Sequence, residues 1–371
     1  MNDIELKMEI VNNCPICNAD RNTNMGILLE IHEKRLVLEG DKIYSVQYVF
    51  CKHCGFIFHN PRLTEGGWRD FYEKIYYKFL EMRGSGGSTR GSNFINTLAR
   101  AKHQIPFIRK YVPKVGYHLD IGCQMDQLQR EVTAVYNNES SFGTELDEEF
   151  RGIANKLGAA IFPTEDDIPE HLRGKFDLIT MSHSLEHMNW PVEYLIKMRD
   201  FLSDDGYVFV EVPCLWWIGS LQISHPGAFT KHTLKEALRS AGYKVVAIKY
   251  TGSSTSRYGW LMIHAVAKKT KLNPNYKVKR DRFWAEKFSL FIKLCGYIKW
   301  SWKQKWFFGN RLGQAIWVDK KVHPAYIQHE FSIKYQELTK SGIRSSPTSG
   351  IELYSSPTEA AVEFPPRTEL T

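Results

Sequence analysis

Tyr117-His-Leu-Asp-Ile-Gly-Cys-Gln-Met-Asp126 is the stretch on which the reading of the fold turns. Tyr117 to Gly122 is a short apolar run ending on glycine, and the residues behind it, Gln127 to Tyr136, change to helical apolar spacing. Strand, tight break and helix follow one another. Outward from there the alternation continues with a strand at Ser141 to Leu146, a helix at Glu148 to Leu157, and strands at Ala159 to Phe162 and Phe176 to His183. A helix at Pro191 to Leu202, with proline at its favoured first position, precedes a strand at Tyr207 to Pro213 and a helix at Thr233 to Ala241. Tyr243 to Tyr250 and Trp260 to Lys268 flank a Gly/Ser-rich loop, Gly252 to Ser256, and predict a closing antiparallel pair. The whole reads as an α/β chain with a Rossmann-like, mostly parallel sheet covered by helices.

In such sheets ligands bind outside the carboxyl ends of the strands. The first strand ends at Asp120, Gly122 and Cys123, followed by Gln124, and Gly122 lets backbone approach a ligand. The second ends at Glu145 and Leu146. Glu145 lies 25 positions after Asp120, near the spacing at which a carboxylate grips two ribose hydroxyls, although a solvated glutamate has the same appearance. Ser182 and His183 close the fourth strand and are candidates to line the same pocket.

Seven cysteines are an odd number for disulfides. Four of them form two knuckles, Cys14-Pro-Ile-Cys17 and Cys51-Lys-His-Cys54, and four thiolates complete the tetrahedral shell of a structural zinc ion. A redox Cys-x-x-Cys or buried free thiols are the alternatives. Gly55 suits a tight turn around a metal, and His53 is expected to be exposed rather than a ligand. Alternation over Ile27 to Leu38 and Lys42 to Phe50 predicts a hairpin between the knuckles. A module this small depends on its metal, so chelation should unfold it first. Behind it, Trp68, Tyr72 and Tyr76 fall on one helical face, for domain packing or substrate contact. Arg83 to Ser92, rich in Gly and Ser, reads as a flexible connector or a lid.

Leu119 to Cys123, Gly143-Thr-Glu145, Phe176 to Ile179, Ser184-Leu-Glu-His187 and Asp205 to Glu211 together resemble class I S-adenosylmethionine-dependent methyltransferases. With the knuckles, Asn60-Pro61-Arg62 and His225 ahead of Phe229-Thr230, the chain resembles the zinc-ribbon subgroup that contains sugar C-methyltransferases. The resemblance implies a seven-stranded sheet, adenosylmethionine over Asp120 and Gly122, Glu145 on the ribose and Asp166 near the adenine. The chain departs from the family at its first loop, where Gln124 and Asp126 replace the second and third glycines. If position 124 needs a left-handed backbone, a non-glycine residue costs about 1–2 kcal/mol there. Lost from binding, that is about a tenfold weaker affinity. Asp126 can alternatively cap the following helix. A fold that has lost its cofactor and serves as a binding or scaffold protein is the competing reading.

Methyl transfer to oxygen or carbon requires an in-line geometry and a proton acceptor. His225, on the loop after the fifth strand, is the candidate base, with His187 and Glu186 behind it in rank; packing or helix capping is their other reading. A basic balance, 49 Lys plus Arg against 41 Asp plus Glu, favours a diphosphate-bearing acceptor such as a nucleotide-linked sugar.

Much of the surplus charge lies in residues 276–306, where Trp284, Phe288, Phe291, Cys295, Ile298 and Trp302 recur at helical steps. This amphipathic helix packs on the domain or across a dimer, or lies on a membrane surface. Nucleic acid is the weakest partner, because no recognised module accompanies the basic residues. The apolar runs Tyr207 to Leu221 and Phe288 to Ile298 are interrupted by Glu211 and Lys293 and are too short to span a bilayer. The opening residues contain no continuous apolar region, which leads to the expectation of a cytoplasmic protein, peripheral at a membrane if residues 276–306 dock there. The expected organisation is a zinc-ribbon module over 1–66, a helical connector with its Gly/Ser loop over 67–110 and the methyltransferase domain over 111–270. A basic aromatic extension over 271–343 and a disordered tail over 344–371 follow.

Overall fold

A computed structural model describes residues 7–20, 25–38, 42–72, 89–156, 158–215, 220–221, 223–252, 261–281 and 315–316. The expected basic helix lies outside these residues from position 282 onward, as do Tyr76, the tail and most of the Gly252 to Ser256 loop. The chain divides into Met1–Lys321 and Val322–Thr371, and every described residue belongs to the first unit.

The N-terminal segment contributes strands β1 (Met8–Glu9), β2 (Met25–Leu38), β3 (Lys42–Cys51), β4 (Ile57–His59) and β5 (Arg62–Leu63). Helices α1 (Glu65–Phe71) and α2 (Thr89–Tyr111) come next. β2 and β3 form the hairpin that the alternating pattern predicts. Thr89 to Ser92 of the expected Gly/Ser connector belong to α2, and its residues 83–88 lie outside the described residues. Ala101, Ile105, Ile108 and Val112 of α2 and its C-terminal flank pack in one buried cluster with Leu128, Leu178, Phe209 and Val266. That packing propagates the helix back into residues of low intrinsic propensity.

The central sheet is built from β6 (Tyr117–Ile121), β7 (Ser140–Thr144), β8 (Ala160–Phe162), β9 (Phe176–Ser182) and β10 (Leu202–Pro213). The short β11 (Gly227–Ala228) lies elsewhere, and β12 (Tyr243–Gly252) and β13 (Leu261–Lys269) complete the seven. Their order is β12-β13-β10-β9-β6-β7-β8, parallel except for β13, which pairs antiparallel with both β10 and β12. Helices α3 (Gln127–Tyr136), α4 (Glu148–Lys156), α5 (Pro191–Met198) and α6 (Lys231–Ser240) make the crossovers. Leu119, Leu178, Ile179, Phe209 and Val210 are fully buried, as expected for strands covered on both faces. From β6 the chain steps first to β7 and β8, then returns to the other side at β9. That reversal opens a crevice at the carboxyl ends of β6 and β9.

The N-terminal segment and the central domain share a sheet. β11 pairs with β4, giving a second sheet ordered β11-β4-β3-β2 and then Ala315–Ile316. Gly227 allows this, since a Cβ there would stand 2.8 Å from the Phe56 ring. Phe56 also rests on Phe229, ring centroids 5.1 Å apart, so the knuckle and α6 meet in one hydrophobic core. Among the described residues no helix is long and apolar enough to cross a membrane.

Candidate active site

Asp120 ends β6 with its side chain buried, and Thr180 of β9 donates a 2.6 Å hydrogen bond to its Oδ1. The Thr180 hydroxyl has one proton, so the 2.9 Å contact to His118 Nε2 must be donated by that nitrogen. Burial raises the Asp120 carboxyl to about 7, partly opposed by the Thr180 bond.

Gly122 follows at φ +71, and a Cβ there would stand 2.7 Å from Ser184 Oγ. The Ser184 hydroxyl donates to Ile121 O at 2.6 Å, which lays the 182–187 segment across the loop after β6. Gln124 at φ 51 and Asp126 at φ 64 both occupy the left-handed region. The loop therefore keeps a glycine-like path without the glycines. Gln124 is held from both ends, its backbone N–H donating to Glu145 Oε2 at 2.9 Å and its Oε1 accepting from Thr97 Oγ1 at 2.9 Å. Asp126 gives no side-chain cap to α3, contrary to the capping reading; it pairs instead with Arg130 at 2.7 Å. Left-handed backbone at the cap position turns the carboxylate away from the free N–H groups.

Glu145 leaves β7 with Oε2 on Gln124 N–H and Oε1 accepting from Asp147 N–H at 2.9 Å. Each oxygen retains a lone pair, so the carboxylate is oriented but not used up. Burial raises its pKa. Leu146 beside it is 68% exposed, an apolar face at the rim of the crevice. Cys123 is buried against Gly143, where an added Cβ would meet its sulfur at 2.6 Å. Ser182 accepts from Gln104 of α2 at 2.7 Å. Asp166, in a single 3-10 turn after β8, is 70% exposed and lies 2.7 Å from Lys197 Nζ.

The polar residues beyond β9 and β10 form a buried network. His183, at φ 57, lies 3.1 Å from Glu186 Oε1 through Nδ1 and 3.3 Å from Glu211 Oε1 through Nε2. Burial and Arg100 oppose protonation of His183, but the two carboxylates outweigh them and raise its pKa. Glu211 also bonds His264 on β13, and these histidines hold it well below the usual carboxylate range against the effect of burial. Glu186 is 1% exposed; although burial alone would raise it, His183 keeps its carboxyl down at about 2.

His187 and His225 meet edge to face, ring centroids 4.9 Å apart. His187 Nδ1 is 2.7 Å from Ser224 O, with Tyr72 Oη at 2.9 Å from the same nitrogen. His225 is 6% exposed, its Nδ1 2.8 Å from Ser220 O. Carbonyls only accept, so each ring holds its proton on Nδ1 and leaves a lone pair on Nε2. Burial and the neighbouring His187 bring the His225 imidazole down to about 3. Tyr48 of β3 donates to His225 O at 2.7 Å and His59 N–H donates to Pro226 O at 2.9 Å, so the N-terminal segment fixes this loop.

The knuckles converge as their spacing predicts. Cys14 Sγ is 3.6 Å from Cys54 Sγ, and Cys17 Sγ is 3.5 Å from Cys51 Sγ. Zinc–sulfur bonds of about 2.3 Å place tetrahedral sulfurs about 3.8 Å apart, so the four fit that ion with little adjustment. His53 is half-buried rather than exposed, its Nε2 3.0 Å from Val278 O.

Residues 95–248 match the family model described as a methyltransferase domain. Solved structures similar to the chain include an S-adenosylmethionine-dependent methyltransferase from Methanosarcina mazei, 14% identical, covering 45% of this chain and 98% of its own, with a TM-score of 0.38. Another is the Burkholderia thailandensis 1,6-didemethyltoxoflavin-N1-methyltransferase with bound S-adenosylhomocysteine, 15% identical over 58% of this chain and 96% of its own, TM-score 0.43. A third is the plantazolicin methyltransferase BpumL in complex with SAH, 16% identical over 54% and 93%, TM-score 0.40. No curated protein matches the chain.

Sequence reasoning missed the partners that hold this site: Thr180, Thr97, Arg100, His264 and Tyr48. Each is an ordinary residue by type, and only strand register or helix packing brings it near.

Proposed function

We propose that the chain is an S-adenosylmethionine-dependent methyltransferase whose acceptor is a sugar carried on a nucleotide diphosphate, and that a structural zinc ion occupies the four-cysteine knuckle. The observation that carries the cofactor reading is the loop from Gly122 to Asp126, which retains left-handed backbone at 124 and 126 beside an oriented Glu145. A relic released from cofactor binding has no need to hold two non-glycine residues there. S-adenosylmethionine, when bound, supplies an electrophilic methyl group on a sulfonium.

The chain's own residues divide the remaining work. Asp120, Gly122 and Glu145 form the cofactor side, with Leu146 as an apolar rim. His187 and His225 form the acceptor side, where their Nε2 lone pairs face the proton that an acceptor hydroxyl or carbon acid must lose. The sugar reading rests on the resemblance and on the knuckle sheet that builds the wall beside His225.

Calorimetric titration of S-adenosylhomocysteine into the zinc-loaded chain tests the cofactor reading. Saturable binding is expected, and no heat at millimolar ligand overturns it. With nucleotide-sugar acceptors, His225→Ala should lower turnover and leave cofactor affinity within about twofold; an unchanged rate removes His225 from the acceptor side.

A further inference from the structure

We propose that Glu186, His187 and His225 bind a divalent first-row transition metal, a second site distinct from the knuckle. Glu186 and His187 come from the 3-10 turn Leu185–His187 after β9, and His225 from the loop that enters β11. One ligand atom from each lies within 4.8 Å of the other two.

The chemistry of the three donors agrees. Metal-bound histidines characteristically donate their second ring N–H to a carbonyl or carboxylate, which fixes the tautomer. His187 and His225 both do so, to Ser224 O and Ser220 O, leaving Nε2 as the donor. Two imidazoles on one ion at angles between a right angle and the tetrahedral value have ring centroids about 4.6–5.3 Å apart, given metal–nitrogen bonds of about 2.1 Å. The observed separation is 4.9 Å. Glu186 supplies the anion. It is buried, and among the described residues neither of its carboxylate oxygens has a hydrogen-bond donor. His183 is near, at 3.1 Å, but not aligned to donate. His183 offsets part of the buried charge, and the two carboxylate oxygens, neither of them hydrogen-bonded to a described residue, remain open to a directed bond from a cation.

Two imidazoles and one carboxylate suit zinc, iron(II), cobalt(II) or manganese(II) better than magnesium or calcium, and they leave coordination positions open. An oxygen-bearing acceptor can fill them, such as the hydroxyl of a sugar, whose acidity a metal increases; with the ion bound both Nε2 lone pairs serve as ligands, and the hydroxyl proton passes to solvent instead of to a ring. This use of the site rests on the methyltransferase reading; the presence of the site does not.

Cobalt(II) titration of the metal-free, reduced full-length chain separates the two centres. Two equivalents are expected: one with intense thiolate charge-transfer absorption from the knuckle, and one with only weak visible bands from a nitrogen and oxygen shell. Glu186→Gln and His225→Asn should keep the thiolate signal and weaken the second equivalent by about tenfold or more. Binding of one equivalent by the wild-type chain overturns the proposal, as does a second equivalent that survives both substitutions. Loss of the thiolate signal in one variant would mean misfolding, and the other variant and the wild-type stoichiometry then decide. S-adenosylhomocysteine calorimetry is read separately, so failure of the cofactor reading is not mistaken for failure of the metal site.

Discussion

Gln124 shows where a loop's strain is felt. Because its backbone is already left-handed, the cost of a side chain there falls on folding, and the tenfold weakening of binding expected from the sequence does not follow. Gln124→Val should destabilise the chain by about 1–2 kcal/mol in urea titrations, since a β-branched residue tolerates this region worst. Equal stability of the two proteins would show that the turn relaxes. Asp120 gives a pH-dependent test. Its pKa rises on folding from 3.8 to about 7, so the folded chain holds this proton more tightly than the unfolded chain. The stability it contributes is present below the unfolded value and lost as pH climbs towards about 7. Asp120→Asn should therefore gain on wild type across that window and level off above it. A difference that is flat with pH would refute the burial account. Asp120, Gly122 and Glu145 were legible in the sequence because strand ends and spacing mark them. Thr180 was not, because only the register of β9 against β6 sets it beside Asp120.

At the scale of elements, what was legible followed periodicity. The strands and helices from Tyr117 to Lys268 were readable because apolar spacing changes cleanly between period two and helical steps. Boundaries were less so: β10 begins at Leu202 rather than Tyr207, since Leu202 pairs with Phe176 across an irregularity that no local pattern encodes. β11 is two residues long and exists only through its partner β4, so it left no trace in the sequence. α6 carries a capping box in which Thr230 accepts from Thr233 N–H and Thr233 Oγ1 accepts from Thr230 N–H. Thr230→Ala should cost about 1 kcal/mol in denaturant titrations. A loss below a few tenths would mean that the hydroxyl is replaced by water.

For the whole molecule, the four cysteines and the parallel sheet are mechanically joined. Removal of the metal proposed for the knuckle should loosen β3, β4 and β11 together and release the His225 loop, while β6 and β9 remain closed. Hydrogen exchange checks this: residues 46–59 and 225–229 should lose protection in parallel on chelation, with residues 117–121 unaffected. Independent behaviour of the two segments would show that the shared sheet does not couple them. The joining of β4 to β11 also bears on how the chain is made. During synthesis the knuckle segment is made before β11, and the outer edge of β4 stays unpaired until Ala228 has left the ribosome, so until then that edge must be kept from other nascent chains.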